Sequence, residues 1–204
     1  QRFVRQLAPV DRDSAEQAAS GAEPGVGGAY RADVAEPGLL DQIVFRRLAL
    51  GEPGDTEVEI AVQAAALNFK DIMNAMGMLP ANAVSGGLAS DRLGLEVAGR
   101  VLRVGAQVQH VQPGDEVIAR VAEGFSGRVI APGHCVVKRP QRLTPQQAAA
   151  VPVVYVTAWY SLCQLARIAP GETVLIHSAA GGVGGAAIQL AHRAGATVIA
   201  TAGT

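Results

Sequence analysis

The sequence predicts an α/β chain, with a β-rich, barrel-like region first and the opening of a doubly wound parallel sheet last. Three observations carry that prediction. Short apolar segments bounded by Gly, Pro and Asp fill residues 30–138. Beyond them Thr144-Pro145 opens a run of helix signals. From Thr173, an apolar run, a glycine cluster, a helical stripe and a second apolar run succeed one another, the order of a βαβ unit.

The totals narrow the function classes. A chain of 204 residues is one or two domains with room for a real core. Its net charge of -1 offers no electrostatic footprint for nucleic acid or for an anionic membrane surface. No window holds the roughly 18 consecutive apolar residues of a membrane span, and Gln1-Arg2-Phe3-Val4-Arg5 does not open a signal peptide. With only Cys135 and Cys163, a disulfide framework is not expected, and the cytoplasm is the expected location.

Residues 1–29 read as an interdomain linker, charged without an apolar face and then glycine-rich. In the 30–150 region, Ile43-Val44-Phe45 is a strand, and Gly51-Glu52-Pro53-Gly54-Asp55 is a turn. Glu57, Glu59 and Ala61 alternate with Val58, Ile60 and Val62, a half-buried strand. Strands follow over 97–104, 116–121 and 128–138, with Gln112-Pro113-Gly114-Asp115 as a tight turn between the first two. Thr144 then N-caps a helix with Pro145 at its first position. A second helix carries Trp159, Leu162, Cys163 and Ala166 on one stripe, with Cys163 as a small buried hydrophobe.

The 151–204 region holds the strongest motif. Val174-Leu175-Ile176 reads as a strand buried on both faces. Val183, Ala186, Ala187, Leu190, Ala191 and Ala194 form a helical stripe that Gly195 stops, and Thr197-Val198-Ile199-Ala200-Thr201 is the next strand. Gly182-x-Gly184-x-x-Ala187 between them fits a dinucleotide fingerprint. Gly182 serves the tight turn, Gly184 the approach of a pyrophosphate, and Ala187 the packing of helix on strand. Unpaired amides and the dipole at the helix start favour the phosphate charge. The bland alternative is a glycine turn without a ligand.

Six motifs in order extend the reading: Leu67-Asn68-Phe69-Lys70-Asp71, Gly94-Leu95-Glu96-Val97-Ala98-Gly99, Pro113-Gly114-Asp115, Ala148-Ala149-Ala150-Val151-Pro152, Val156-Thr157-Ala158-Trp159-Tyr160 and Ala179-Ala180-Gly181-Gly182-Val183-Gly184. Over about residues 30–204 the chain resembles the zinc-free, quinone-oxidoreductase-like branch of the medium-chain dehydrogenase/reductase superfamily. Within it, the chain most resembles the enoyl reductase domain of type I polyketide synthases. The resemblance implies a GroES-like barrel over 30–150 and a Rossmann domain starting at 151. That domain is truncated, because its fold needs about six strands and two precede Thr204.

Zinc is not expected. Relatives with catalytic zinc place Cys at the Asn68 position and His before the Glu96 position, and Asn68 and Leu95 are poor substitutes for about three converging N, S or O ligands. Two cysteines cannot make a four-cysteine structural lobe.

The resemblance further implies NADPH between the two domains. Ser178, Ala179, Ala180, Gly181, Gly182, Val183 and Gly184 would hold its pyrophosphate, and Tyr155 and Thr157 would lie near the nicotinamide end. A helix N-cap is a compatible role for Thr157, and a core tyrosine is an alternative for Tyr155. NADPH is favoured over NADH because the strand end at Thr201 and Ala202 carries no carboxylate to repel a 2′-phosphate.

Asn68, Lys70 and Asp71 are the catalytic candidates on the loop facing the nicotinamide, although Asp71 equally suits a cap of a short helix over 71–76. Glu96 reads as a buried structural partner. The implied reaction is reduction of a 2-enoyl thioester on an acyl carrier protein, in polyketide or fatty-acid-like lipid synthesis. Other synthase domains, and a homodimer formed through the parent chain, are the implied partners. Leu79 stands where some relatives carry a proton-donating Tyr, so the opposite configuration is expected at a methyl-branched α-carbon, with the donor beyond Thr204. A free-standing NADPH quinone reductase and a non-catalytic cofactor-binding domain are the alternatives.

Overall fold

The computed structural model describes residues 29–39, 42–79 and 92–203. The expected linker falls on residues 1–28, outside the described residues, except for Ala29.

β1 (Tyr30–Val34) and β2 (Ile43–Arg47) form an antiparallel pair, Tyr30 opposite Arg47 and Val34 opposite Ile43. Arg46 and Arg92 hold Asp33 on β1 at 3.3 and 3.1 Å. The main sheet comprises β3 (Glu57–Ala65), β4 (Glu96–Val104), β5 (Glu116–Arg120), β6 (Arg128–Pro132) and β7 (Val136–Lys138), in the order β6-β3-β4-β5-β7. Every pairing in it is antiparallel.

The sheet is rolled, for a geometric reason. β6 and β7 lie on opposite edges, yet only the short 3₁₀ turn Gly133–Cys135 joins them. Four strand spacings in a flat sheet cover about 19 Å, and four chain steps reach at most about 14 Å. The edges must therefore curl toward each other, giving the expected barrel-like shape. Residues 128–138, read from sequence as one strand, are thus two. Val58, Ile60, Val97, Val101, Val117, Val129 and Val136 fill the interior. The alternation of β3 holds for Val58 and Ile60, but Glu59 on the polar side is only 1% exposed. Arg103 and Arg128 cover it, at 2.5 and 3.7 Å.

Helices connect this sheet to the parallel pair. α1 (Phe69–Ala75) follows β3 and begins two residues before the expected start. α2 (Pro145–Ala149) begins as expected: Thr144 Oγ1 accepts from the Gln147 amide, and Gln147 Oε1 from the Thr144 amide. α3 (Pro152–Trp159) runs into a π-helical turn over Tyr160–Leu165. There the Ala166 amide reaches back five residues to Ser161 O at 3.0 Å. That widened turn breaks the expected 3.6-residue stripe: Trp159 is 46% exposed, Ala166 is exposed, and Leu162 and Cys163 are half-buried rather than core.

By length and composition the 21-residue run Pro145–Leu165, with a mean hydropathy of 1.3, is apolar enough to cross a membrane, although its apolar residues are not consecutive. A turn at Ala150 and Val151 divides it. Ala148 and Ala149 pack with Ala98 and Ile118 of the barrel, and Ala158 packs with the parallel pair.

The βαβ unit forms as read. β8 (Thr173–Ile176) and β9 (Thr197–Ala200) pair in parallel from Thr173 opposite Thr197 to Ile176 opposite Ala200, with α4 (Gly182–Arg193) between them. Gly195 ends α4 at φ +79°; its amide reaches His192 O and the Ala196 amide Ala191 O, a Schellman motif. Ala186, Ala187 and Ile176 form the small core here. β8 is not buried on both faces. Leu175 and Ile199 are 53% and 54% exposed, because among the described residues the helices pack on one face only.

Candidate functional site

One half of the site is built where β3 passes into α1. Asn68 takes the extended backbone of an N-cap, φ -106° and ψ 154°. Its amide N–H donates to Asp71 Oδ2 at 2.8 Å, and Asp71 Oδ1 accepts from the Gly94 amide at 2.8 Å. Gly94 has φ +89°, and a Cβ there would lie 2.3 Å from the Phe125 nitrogen, so no other residue fits. Asp71 is 3% exposed with both oxygens on backbone amides. It caps α1 and ties it to the segment before β4, the capping role that the sequence offered beside a catalytic one. Lys70 stands half-buried on the first turn of α1, while Leu67 and Phe69 are 66% and 74% exposed.

Glu96, at the start of β4 and 2% exposed, gathers the next layer. One carboxylate oxygen accepts from Asn68 Nδ2 at 3.0 Å, the other from the Val153 amide at 2.7 Å. Val153 lies in the first turn of α3, where the helix dipole suits a negative charge. Burial pushes the Glu96 carboxyl above its usual range. The Val153 and Asn68 bonds act against the rise, Asp71 adds to it and Arg120 opposes it. The sequence made Glu96 a buried partner but did not show its link to α3. A lone acid between Leu95 and Val97 in an apolar strand was the available signal.

Thr157 lies inside α3, not at its start, so the N-cap role is excluded; the N-cap position is Val151. Its Oγ1 donates to Val153 O at 2.7 Å, leaving exposed lone pairs. The Tyr155 hydroxyl donates to Gln189 Oε1 at 2.7 Å and so links α3 to α4.

The other half is the glycine turn. Ser178 has φ +52°, a left-handed conformation that the sequence did not reveal. The Ala179 amide donates to Thr201 O at 2.9 Å, and the Gly181 amide to Ser178 O at 2.9 Å. The amides of Gly182, Val183 and Gly184 have no backbone acceptor at the start of α4, the usual state of a first helical turn. Ser178, Ala180, Gly181, Gly182 and Val183 are exposed, whereas Ala179 and Gly184 are buried.

Gly184 has a packing role in addition to the expected one. A Cβ on Gly184 would lie 2.5 Å from Ser178 O and 2.6 Å from Ala179 Cα, so Gly184 is the close-packing position. Ala187 is buried in the core behind it. Val183, expected on the apolar stripe, is 43% exposed. At the strand end His177 Nδ1 meets Thr201 Oγ1 at 3.0 Å, and Thr201 and Ala202 are exposed. Residues 197–203 include no carboxylate.

The turn fits a dinucleotide: free amides, an exposed rim, and backbone that approaches closely only because Gly184 lacks a side chain. Among the described residues no group of three or more His, Cys, Asp or Glu is gathered to hold a metal. Leu79 is half-buried, and residues 80–91 beyond it lie outside the described residues.

Comparison with known proteins agrees with this geometry. Residues 54–144 match the alcohol dehydrogenase GroES-like domain. The chain is 44% identical over 177 residues to the highly reducing polyketide synthase ZEA2 of Gibberella zeae, covering 85% of this chain and 7% of that protein. The crystal structure of CurK enoyl reductase superposes with a TM-score of 0.81 at 39% identity, over 86% of this chain and 55% of that one. Escherichia coli quinone oxidoreductase complexed with NADPH gives 0.70 at 30% identity, over 86% of this chain and 53% of the other. The chain therefore spans about half of these solved chains and a small part of the synthase.

Proposed function

This chain belongs to the medium-chain dehydrogenase/reductase superfamily, in the group formed by polyketide synthase enoyl reductases, and from that membership we propose that it serves NADPH-dependent reduction of an enoyl thioester. The acyl carrier protein of a synthase would deliver that thioester in the cytoplasm. The observation that carries the reading is the pairing of a free-amide glycine turn with an Asn68–Glu96 layer tied to α3.

When bound, the dihydronicotinamide supplies the hydride taken up at the β-carbon. The chain's own part is to bind and polarise. The Gly182, Val183 and Gly184 amides hold the pyrophosphate, aided by the α4 dipole. The exposed strand end at Thr201 and Ala202 leaves space for a 2′-phosphate. Lys70 borders the reacting end and supplies N–H donors for charge that develops on the thioester oxygen. Asn68, its NH₂ held by Glu96, offers Oδ1 to accept a hydrogen bond from cofactor or substrate. Leu79 carries no proton to give, so protonation at the α-carbon falls to another group, with the opposite configuration from relatives that have Tyr there.

The test follows NADPH and NADH absorbance in the intact protein with a short 2-enoyl thioester and, separately, with a small quinone. Thioester-dependent NADPH loss supports the reading. Turnover with quinone alone would replace it with a quinone reductase. Binding without turnover would leave a cofactor-binding domain.

A further inference from the structure

We propose that Glu96 is the positioning residue of this site: its carboxylate sets the orientation of the Asn68 amide and ties it to the first turn of α3. The inference rests on the reading above only for its effect on turnover; the tie itself is geometric.

An ionised carboxylate accepts and never donates. With one oxygen on the Val153 amide at 2.7 Å and the other 3.0 Å from the Asn68 side chain, it forces the NH₂ end of Asn68 toward β4. The same loop is held on its backbone side by Asp71, which grips the Asn68 amide and the Gly94 amide. Asn68 is thus fixed twice, once through its backbone and once through its side chain. Only the second hold crosses to α3, the helix that carries Tyr155 and Thr157. Through Glu96, the catalytic loop after β3 and the helix next to the glycine turn are held as one body.

The hold depends on charge. A protonated Glu96 becomes a donor at one oxygen and cannot accept from both Asn68 and Val153. The groups that face it are Asp71 from α1, which opposes ionisation, and Arg120 from β5, its partner across the ladder, which favours it. The raised folded value means that this group's stability contribution is full below the unfolded value and lost as pH rises through the folded one. The ionised state that positions Asn68 is thus held at some cost in stability. A glutamine of the same shape has one accepting oxygen and one NH₂, so with its oxygen on Val153 it can bond Asn68 only if that amide turns over to offer Oδ1.

The test uses Glu96→Gln in the intact protein, with circular dichroism to verify folding and Glu96→Asp as a second variant that keeps the charge but shortens the reach. In the wild type, NMR should show the Glu96 carboxyl, the Val153 amide and the Asn68 side-chain amide titrating with one shared midpoint. In Glu96→Gln, the Val153 and Asn68 signals should no longer titrate. Maximal turnover should fall about 100-fold with KM little changed, as expected for a misplaced reacting group. The acid limb of the wild-type kcat profile should disappear, and Glu96→Asp should restore part of the rate. Independent titration of Val153 and Asn68 in the wild type would overturn the proposal, as would a folded Glu96→Gln with normal kcat. If the wild type reduces no enoyl thioester, the functional reading fails, while the shared titration still decides the tie.

Discussion

Two adjacent glycines on α4 should respond in opposite senses to the same substitution. A Cβ on Gly184 would lie 2.5 Å from Ser178 O and 2.6 Å from Ala179 Cα, both backbone atoms that cannot rotate away. Ordinary carbon contacts start near 3.5 Å, so Gly184→Ala has to push α4 from the turn by about 1 Å. Overpacking of that size costs about 1–3 kcal/mol. The displacement also moves the free amides of Gly182 and Val183, so NADPH affinity should drop in parallel. Gly185 has nothing within 4 Å of an added Cβ. Gly185→Ala should instead stabilise α4 by about 0.5–1 kcal/mol, the helical preference of Ala over Gly. Amide hydrogen exchange across α4 and β8 reads both changes as local opening free energies. Equal exchange in the two variants would refute the assignment of Gly184 as the close-packing position.

Three further outcomes are expected. Asp71→Asn leaves an NH₂ facing either the Asn68 or the Gly94 amide, which should cost about 1–3 kcal/mol and speed exchange at Gly94; unchanged exchange there would count against it. Thr144→Ala removes one arm of the α2 capping box and should cost about 1 kcal/mol, read as faster exchange at Gln147 and Ala148. Lys138, 2.9 Å from Asp115 Oδ2, and the Gln112 amide hold the Asp115 carboxyl below its usual range. Its contribution is therefore present above the unfolded value and lost as pH falls through the folded one. Lys138→Ala should raise the Asp115 midpoint in an NMR titration, and an unmoved midpoint would contradict the pairing.

Local chemistry wrote much of this fold plainly into the sequence. Thr144-Pro145 and Gly195 mark helix ends because caps act within a few residues, and the βαβ unit is legible because strand, glycine turn and stripe are contiguous. What stayed hidden depends on contacts between distant residues. The splitting of 128–138 follows from barrel closure, and the burial of Glu59 from two arginines on neighbouring strands. The π turn at Tyr160 shifts the stripe by a fraction of a turn that no apolar pattern reports. At the site, the motifs marked Asn68, Lys70 and the glycine turn as candidates. The second hold of Asp71, on the Gly94 amide, and the close packing of Gly184 on the turn emerged only from which backbone each one touches.

The most direct test of the central claim is the fate of a label. NADPH deuterated at nicotinamide C4 is mixed with the intact protein and an enoyl thioester on an acyl carrier protein, and the product is analysed by mass spectrometry and NMR. Deuterium at the β-carbon, with a solvent-derived proton at the α-carbon, is the predicted result. Reduced product without deuterium at the β-carbon, or NADPH bound with no reduced product, would contradict it.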